Sequence, residues 1–195
     1  MTVTLARGWN ETLHDQLDFH YRRHLRPRME GLTDDEYLWE PAPGSWSIRP
    51  RGTSTSPAPI GAGPMQRDDA ADEPDPAPVT TIAWRIAHMT VECLSMRTMN
   101  HFDGQTVHGE TWEYAATADE ALAQLDTAYD AWSAGVRSLG EEGLARAVGP
   151  AEGPWAESPY ADLVLHINRE LIHHGAEICL LRDIYRATAT PEETR

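Results

Sequence analysis

Glutamate and histidine side chains that could bind a metal ion lie in the apolar stretch 163–185. Glu170 and His174 are four residues apart, which places both side chains on one face of a helix. Imidazole and carboxylate groups are the ligands from which metal sites in helical bundles are built. Two ligands on one helix do not complete such a site. A third must come from another helix, and His88 is the candidate.

The apolar period of the same stretch indicates which of its histidines face the core. At about 100° per residue, one arc contains the side chains that a helix would turn to a bundle core, namely Val164, Ile167, Leu171, Ile178 and Tyr185. His174 lies on this arc and Glu170 lies at its edge, whereas His166 and His173 point away from it. The period therefore favours Glu170 and His174 over the other two histidines.

His88 has less support from periodicity, because it lies with Trp84 and Val91, off the main apolar stripe of its helix. A histidine near an apolar face is more often a hydrogen-bonded core residue than a ligand. Glu170 and His174 could equally form a pair on a helix surface. Spacing alone leaves both a metal site and these structural roles open.

Four long amphipathic segments are predicted to carry these residues, since apolar side chains recur in each on a helical period. The first runs from Trp9 to Met29. Residues typical of helix N-caps mark the later starts, which are Thr33 for a short helix and then Thr80 or Thr81, Thr117, and Ser158 with Pro159 for three long ones. No segment alternates with the period of a strand. The predicted fold is an all-α four-helix bundle with crossover connections, a single domain over residues 1–195 with a Pro/Gly/acid-rich loop insertion at about 50–78.

The composition argues against several functional classes. Acidic residues outnumber basic ones 31 to 16, which gives a formal net charge of -15 and disfavours binding to nucleic acid. No apolar run is long enough to span a membrane, and the first ten residues lack the pattern of a secretory signal. Cys93 and Cys179 lack the spacing of a redox or zinc motif, so we expect two buried thiols in a reducing compartment. These features predict a soluble cytoplasmic protein.

Three segments together resemble one protein family. They are HxxxELIHHGAEI from His166 to Ile178, IAWRIAHM around His88, and LTDDEYLWEPAPGSWSI from Leu32 to Ile48. In these segments the chain resembles the DinB-like superfamily, which includes mycothiol-dependent maleylpyruvate isomerases and thiol S-transferases. The similarity covers most of the chain outside residues 50–78.

The resemblance implies a four-helix bundle that holds a divalent metal, with His88 as the ligand from the second long helix and Glu170 and His174 as those from the fourth. Zn²⁺ is the metal expected, and Fe²⁺ or Ni²⁺ would suit the same ligands. Many relatives have histidine where Glu170 stands, whereas the mycothiol-dependent isomerase branch has glutamate.

The resemblance also implies a function. It is that of a metal-dependent transferase or isomerase that uses a low-molecular-weight thiol of the mycothiol type on a small-molecule substrate. The alternative is a non-enzymatic scaffold of the same fold that binds a small molecule or serves in stress. A homodimer is expected from the family resemblance alone. A shared fold does not by itself carry a shared reaction.

A second metal arrangement also matches the sequence. Glu11 with His14, and Glu170 with His173, have the ExxH spacing found in di-iron bundle proteins. His173 lies more than about 100° from the apolar arc of its helix, and Glu11 and His14 lie at the very start of theirs. We therefore do not expect a di-iron site.

Overall fold

Four long helices make up most of the structure, a computed structural model that describes residues 7–72 and 74–189. In chain order the helices are α1 (Trp9–His20, Tyr21–Leu25 and Arg26–Arg28), the short α2 (Asp34–Leu38), α3 (Ile82–His88, Met89–Ser95 and Met96–His101), α4 (Ala118–Leu144) and α5 (Tyr160–Ala189). The middle segments of α1 and α3 are π-helical. The prediction of an all-α fold is confirmed.

The single-domain prediction extends beyond the residues that the structure describes. Residues 1–6, 73 and 190–195 lie outside them. The start of the chain, on which the absence of a secretory signal is predicted, falls largely in this group. In the described part of the chain, no helix combines the length and the apolar character that a membrane span requires.

Threonine caps begin three of the helices at the predicted positions. The hydroxyl oxygens of Thr33, Thr81 and Thr117 accept hydrogen bonds from the backbone N–H three residues further on, at 3.2, 3.2 and 3.3 Å. Each bond satisfies an N–H that has no partner within the helix. The N-termini of these three helices could be predicted from the sequence because a cap is a local interaction.

Of the two predicted boundaries in the last two long helices, one is off by one residue. The helical backbone of α4 breaks at Gly140 (φ 61°, ψ -175°), directly after the end predicted near Leu139, and a further short helical segment reaches Leu144. α5 begins at Tyr160. Pro159 therefore precedes the first helical residue instead of occupying it, and the predicted Ser158 cap is wrong by one residue.

The order of the helices around the bundle requires a crossover. α1 and α3 each pack against α4 and α5 instead of packing closely against each other. They therefore occupy opposite corners, and the chain between them crosses the bundle. The core between the four helices is apolar and includes the buried side chains Leu17, Ile86, Leu125, Trp132 and Leu171.

A small sheet that the sequence did not predict lies between α2 and α3. β1 (Ile48–Pro50) pairs antiparallel with β2 (Met65–Arg67), in which Arg67 is buried, and Asp68 directly after it is buried too. The Asp68 carboxylate accepts a hydrogen bond from the Arg49 guanidinium at 2.8 Å, and its backbone carbonyl accepts one from the Trp84 indole at 2.8 Å. These bonds hold part of the 50–78 segment against the start of α3.

Two positions on α5 hold this helix against α1 and α2. A Cβ at Gly175 would lie 2.8 Å from the end of the Leu25 side chain, so glycine lets α1 and α5 pack here without a shift of that side chain. Further along α5, the buried Arg182 guanidinium donates to both carboxylate oxygens of Glu36 in α2, at 2.7 and 3.0 Å. Such a bidentate pair fixes direction as well as distance. The Gly175 contact and the Arg182–Glu36 pair together set the orientation of the face of α5 that carries Glu170 and His174.

Candidate metal centre

The structure brings together the three side chains that the sequence analysis proposed as ligands. The imidazole rings of His88 on α3 and His174 on α5 are nearly perpendicular, with centroids 4.9 Å apart. His174 Nε2 lies 3.5 Å from Glu170 Oε2. The side chains are 25% (His88), 25% (Glu170) and 16% (His174) exposed, so a small molecule could reach them. The three groups form one partly buried cluster between two helices.

Cys93 belongs to the same cluster. It is buried as predicted, whereas Cys179, also predicted to be buried, is only partly buried. The Cys93 Sγ lies 3.5 Å from His88 Nε2. One ligand atom from each of His88, Cys93 and Glu170 lies within 4.8 Å of the other two. The described residues therefore offer nitrogen, sulfur and oxygen donors around one point.

The π-helical segment of α3 explains why Cys93 was missed. Residues five apart in an α-helix point about 140° away from each other, so α-helical spacing separates His88 from Cys93. A π-helix closes its hydrogen bonds between residues five apart, which brings such residues to the same side. Met89–Ser95 is π-helical, and Cys93 accordingly returns to the face of His88. No sequence pattern indicated this change of register.

A carboxylate and an arginine lie behind His174. Its Nδ1 is 2.8 Å from Glu177 Oε2, which also pairs with the Arg85 guanidinium on α3. With Nδ1–H donating to Glu177, the Nε2 lone pair faces Glu170. An imidazole that binds a metal through one nitrogen commonly donates from the other to a carboxylate in this way. Glu177 and Arg85 were not predicted, although Glu177 lies only three residues after His174.

His88, like His174, has a carboxylate near its Nδ1 that is paired with an arginine. Its Nδ1 lies 3.5 Å from Glu92 Oε2, and that oxygen accepts a hydrogen bond from the buried Arg67 at 2.5 Å. The ring also stacks on the Trp84 indole, with centroids 5.4 Å apart and an angle of 12° between the planes. Arg67 lies in β2, which was not predicted, so helical spacing could not have indicated the Arg67–Glu92 pair beside His88.

The two histidines differ in their affinity for a proton. Burial lowers the pKa of His174; the hydrogen bond to Glu177 opposes this shift, and the charge of His88 adds to it. Burial would also lower the pKa of His88, but its hydrogen bonds to Cys93 and Glu92 raise it to about 10. His174 is therefore the neutral imidazole with a free lone pair, whereas a cation that binds His88 has to displace a proton.

The neighbouring histidines on α5 lie outside the cluster, as the apolar arc predicted. His173 is 65% exposed, and its Nε2 lies 3.5 Å from the second oxygen of Glu177. His166 lies at the rim, where its Nδ1 is 3.5 Å from Glu170 Oε1 and 2.8 Å from the Arg169 guanidinium. His173 does form a second group of potential ligands with His174 and Glu177, whose ligand atoms lie within 4.8 Å of one another, but this group includes neither His88 nor Glu170.

The residues of the alternative di-iron arrangement have other partners. The Glu11 carboxylate pairs with the Arg7 guanidinium at 3.1 Å on the surface of α1. His14 Nε2 lies 2.8 Å from the Ser133 hydroxyl on α4. Neither side chain belongs to a group of potential ligands in the part of the chain that the structure describes.

The donor set fits a divalent transition metal. Imidazole, carboxylate and thiolate groups together suit an ion of intermediate softness such as Zn²⁺, and Fe²⁺ and Ni²⁺ accept the imidazole and carboxylate ligands as well. The carboxylates of Glu92 and Glu177 are each neutralised by an arginine, which leaves Glu170 as the carboxylate beside the rings without a close arginine partner among the described residues. Its negative charge would stabilise a cation at that point.

A comparison with models of protein families adds an independent finding. Residues 63–178 match the model described as the DinB superfamily. The match covers more than half of the chain and includes all of the cluster. No curated protein and no solved structure matches the chain.

Proposed function

The chain belongs to the DinB superfamily, and from this we propose that it is a metal-dependent transferase or isomerase that uses a low-molecular-weight thiol. The proposed metal ligands are His88, Glu170 and His174. The observation that carries the proposal is the convergence of two imidazoles and a carboxylate from α3 and α5, each imidazole with a carboxylate at its Nδ1. Zn²⁺ is the proposed metal.

The residues around the proposed ligands have defined roles. Glu177, held by Arg85, fixes the tautomer of His174 and directs its Nε2 inward. Glu92, held by Arg67, faces Nδ1 of His88 in the same way. Trp84 covers one face of the His88 ring and restricts its rotation. The chain thus holds both rings in a geometry that costs little reorganisation when an ion binds.

Three protein ligands leave a tetrahedral site with a further position for a reactant. When bound there, a divalent ion lowers the pKa of a thiol and presents it as a nucleophilic thiolate. A mycothiol-type thiol is the proposed cosubstrate, and a small electrophile is the proposed substrate. We place the activity in the cytoplasm, where low-molecular-weight thiols stay reduced.

An activity screen tests this proposal. Protein loaded with Zn²⁺ is assayed with a panel of low-molecular-weight thiols and electrophiles, and consumption of thiol is measured. We expect turnover in the wild type and in His173→Ala, whose side chain lies outside the cluster, and none in His174→Ala. Metal binding without turnover for any pair would contradict the transferase and favour the alternative, a binding scaffold of the same fold. Equal turnover in all three proteins would also contradict the proposal.

A further inference from the structure

The cluster contains one more potential ligand than the proposed function uses. Cys93 is 4% exposed, and its Sγ lies within hydrogen-bonding distance of His88 Nε2, at 3.5 Å. It is a free thiol, as is Cys179, the second cysteine of the chain, which lies on α5. Cys93 thus packs in the apolar core and also presents a donor atom to the cluster.

The geometry makes Cys93 a member of the metal site and not merely its neighbour. A cation within bonding distance of His88 Nε2 and Glu170 lies close to Cys93 Sγ, because the three ligand atoms lie within 4.8 Å of one another. Two ligands of one tetrahedral ion bound at 2.0 to 2.3 Å are separated by roughly 3.5 Å. The 3.5 Å between Sγ and Nε2 already has this value.

Chemistry adds to the geometry. Thiolate is the softest of the donors present and a strong ligand for zinc. His88, Cys93 and Glu170 would supply three ligands of a tetrahedral site. His174, whose Nε2 lies 3.5 Å from Glu170 Oε2, is the neighbouring side chain that would supply the fourth. We propose that Cys93 is a fourth, displaceable ligand that occupies at rest the position which a thiol substrate takes during the reaction. This inference rests on the proposed function.

Displacement of Cys93 by a substrate thiol conserves atoms and charge. The Sγ–metal bond breaks, a bond from the incoming sulfur to the metal forms, and the proton of the incoming thiol passes to Sγ. Because one thiolate replaces another, the two sides of the exchange have similar energies. Water, a weaker ligand, would not displace the thiolate. With Cys93 bound to the metal, a thiol could take its coordination position but water could not.

Cobalt substitution gives a direct readout of a metal–sulfur bond. Co²⁺ in a tetrahedral site absorbs visible light, and a bound thiolate adds a charge-transfer band in the near ultraviolet. Co²⁺ is titrated into metal-free protein in buffer without added thiol. We expect both features in the wild type and an unchanged spectrum in Cys179→Ser. As Cys93 is then the one cysteine left, this variant assigns the band even if substitution of Cys93 were to impair folding.

Cys93→Ser supplies the complementary measurement. We expect it to keep the visible bands, to lack the charge-transfer band, and to regain that band when 2-mercaptoethanol is added. A wild type with visible bands and no charge-transfer band would overturn the role of Cys93 and leave the three-ligand site standing. A folded Cys93→Ser that keeps the visible bands but gives no band with added thiol would overturn displacement. A wild type without visible bands would overturn the metal site and the proposed function with it.

Discussion

Two histidines of α3, His88 and His101, each lie near a carboxylate and an arginine, but the two clusters differ in the partners of the ring nitrogens and in their exposure to solvent. His101 Nε2 lies 2.8 Å from Glu152, which also pairs with Arg97, and its Nδ1 lies 3.3 Å from the Tyr160 hydroxyl. The His101 side chain is 1% exposed. Both ring nitrogens have protein partners and no solvent reaches them. This cluster is a structural tie between α3, α5 and the turn at Pro150–Trp155.

The His88 ring, by contrast, has its carboxylate at Nδ1, and its Nε2 lies near the Cys93 thiol and near α5, which carries Glu170 and His174. A quarter of its side chain is exposed. Histidine beside a carboxylate therefore does not by itself indicate a metal site. His88 differs from His101 in that one of its ring nitrogens lies close to other potential ligands and in that solvent reaches its side chain.

Removal of a proposed ligand should have the largest effect on the affinity for metal. In His174→Ala and in Glu170→Ala we expect the affinity for Zn²⁺ to fall at least about 100-fold, more than for loss of a residue that only orients a ligand. Competition with a chromogenic chelator measures the affinity. His173→Ala is the matched control and should bind as the wild type does. A loss of less than about threefold in both ligand variants would contradict the assignment.

Removal of an orienting carboxylate should have the next largest effect. In Glu177→Gln the amide can still meet the His174 ring but carries no charge, so we expect Zn²⁺ affinity to fall roughly 10- to 100-fold. The same chelator competition measures it. Glu142→Gln, which changes an exposed carboxylate on α4, is the control. Unaltered affinity in Glu177→Gln would show that Glu177 has no part in orienting His174.

Acidity should weaken metal binding in a graded way. Hydrogen bonds raise the pKa of His88 to about 10, so below that pH a metal ion competes with a proton there. We expect affinity for Zn²⁺ to rise by up to about tenfold per pH unit between roughly pH 6 and pH 8. Isothermal titration calorimetry in buffers of different ionisation enthalpy measures both affinity and proton release. Affinity that is independent of pH over this range would rule out proton competition at His88.

A substitution in the His101 cluster should reduce the stability of the protein and leave its affinity for metal unchanged. His101→Ala removes a buried ring with two hydrogen-bonded nitrogens and leaves Glu152 with one partner fewer, so we expect the free energy of unfolding to fall by about 1–3 kcal/mol. Urea denaturation measures this change. Metal affinity of the folded variant should stay the same. Loss of metal from folded His101→Ala would mean that the two clusters are not independent.

The sequence predicted those parts of the molecule that depend on local signals. Thr117 was identified as a cap, and the cap of α3 was narrowed to Thr80 or Thr81, because the bond that a cap makes reaches only three residues along the chain. Glu170 and His174 were proposed as a pair because an undistorted α-helix places residues four apart on one face. α5 is α-helical throughout this region, so the spacing applied.

Three parts of the site could not be predicted in this way. Cys93 depends on the π-helical register of α3, which no residue type specifies. Arg67 reaches the site from a strand of three residues, too short to show a period. His88 lies off the apolar stripe because the centre is partly exposed at the edge of the core, so a search for core-facing residues gave it little weight.

The metal content of the purified, untreated protein tests the central claim most directly. Elemental analysis should find about one divalent transition metal ion per chain, with Zn²⁺ the most abundant. The double variant Glu170→Ala with His174→Ala, prepared in the same way, should contain almost none. A wild type without stoichiometric metal, together with a double variant of unchanged metal content, would contradict the account.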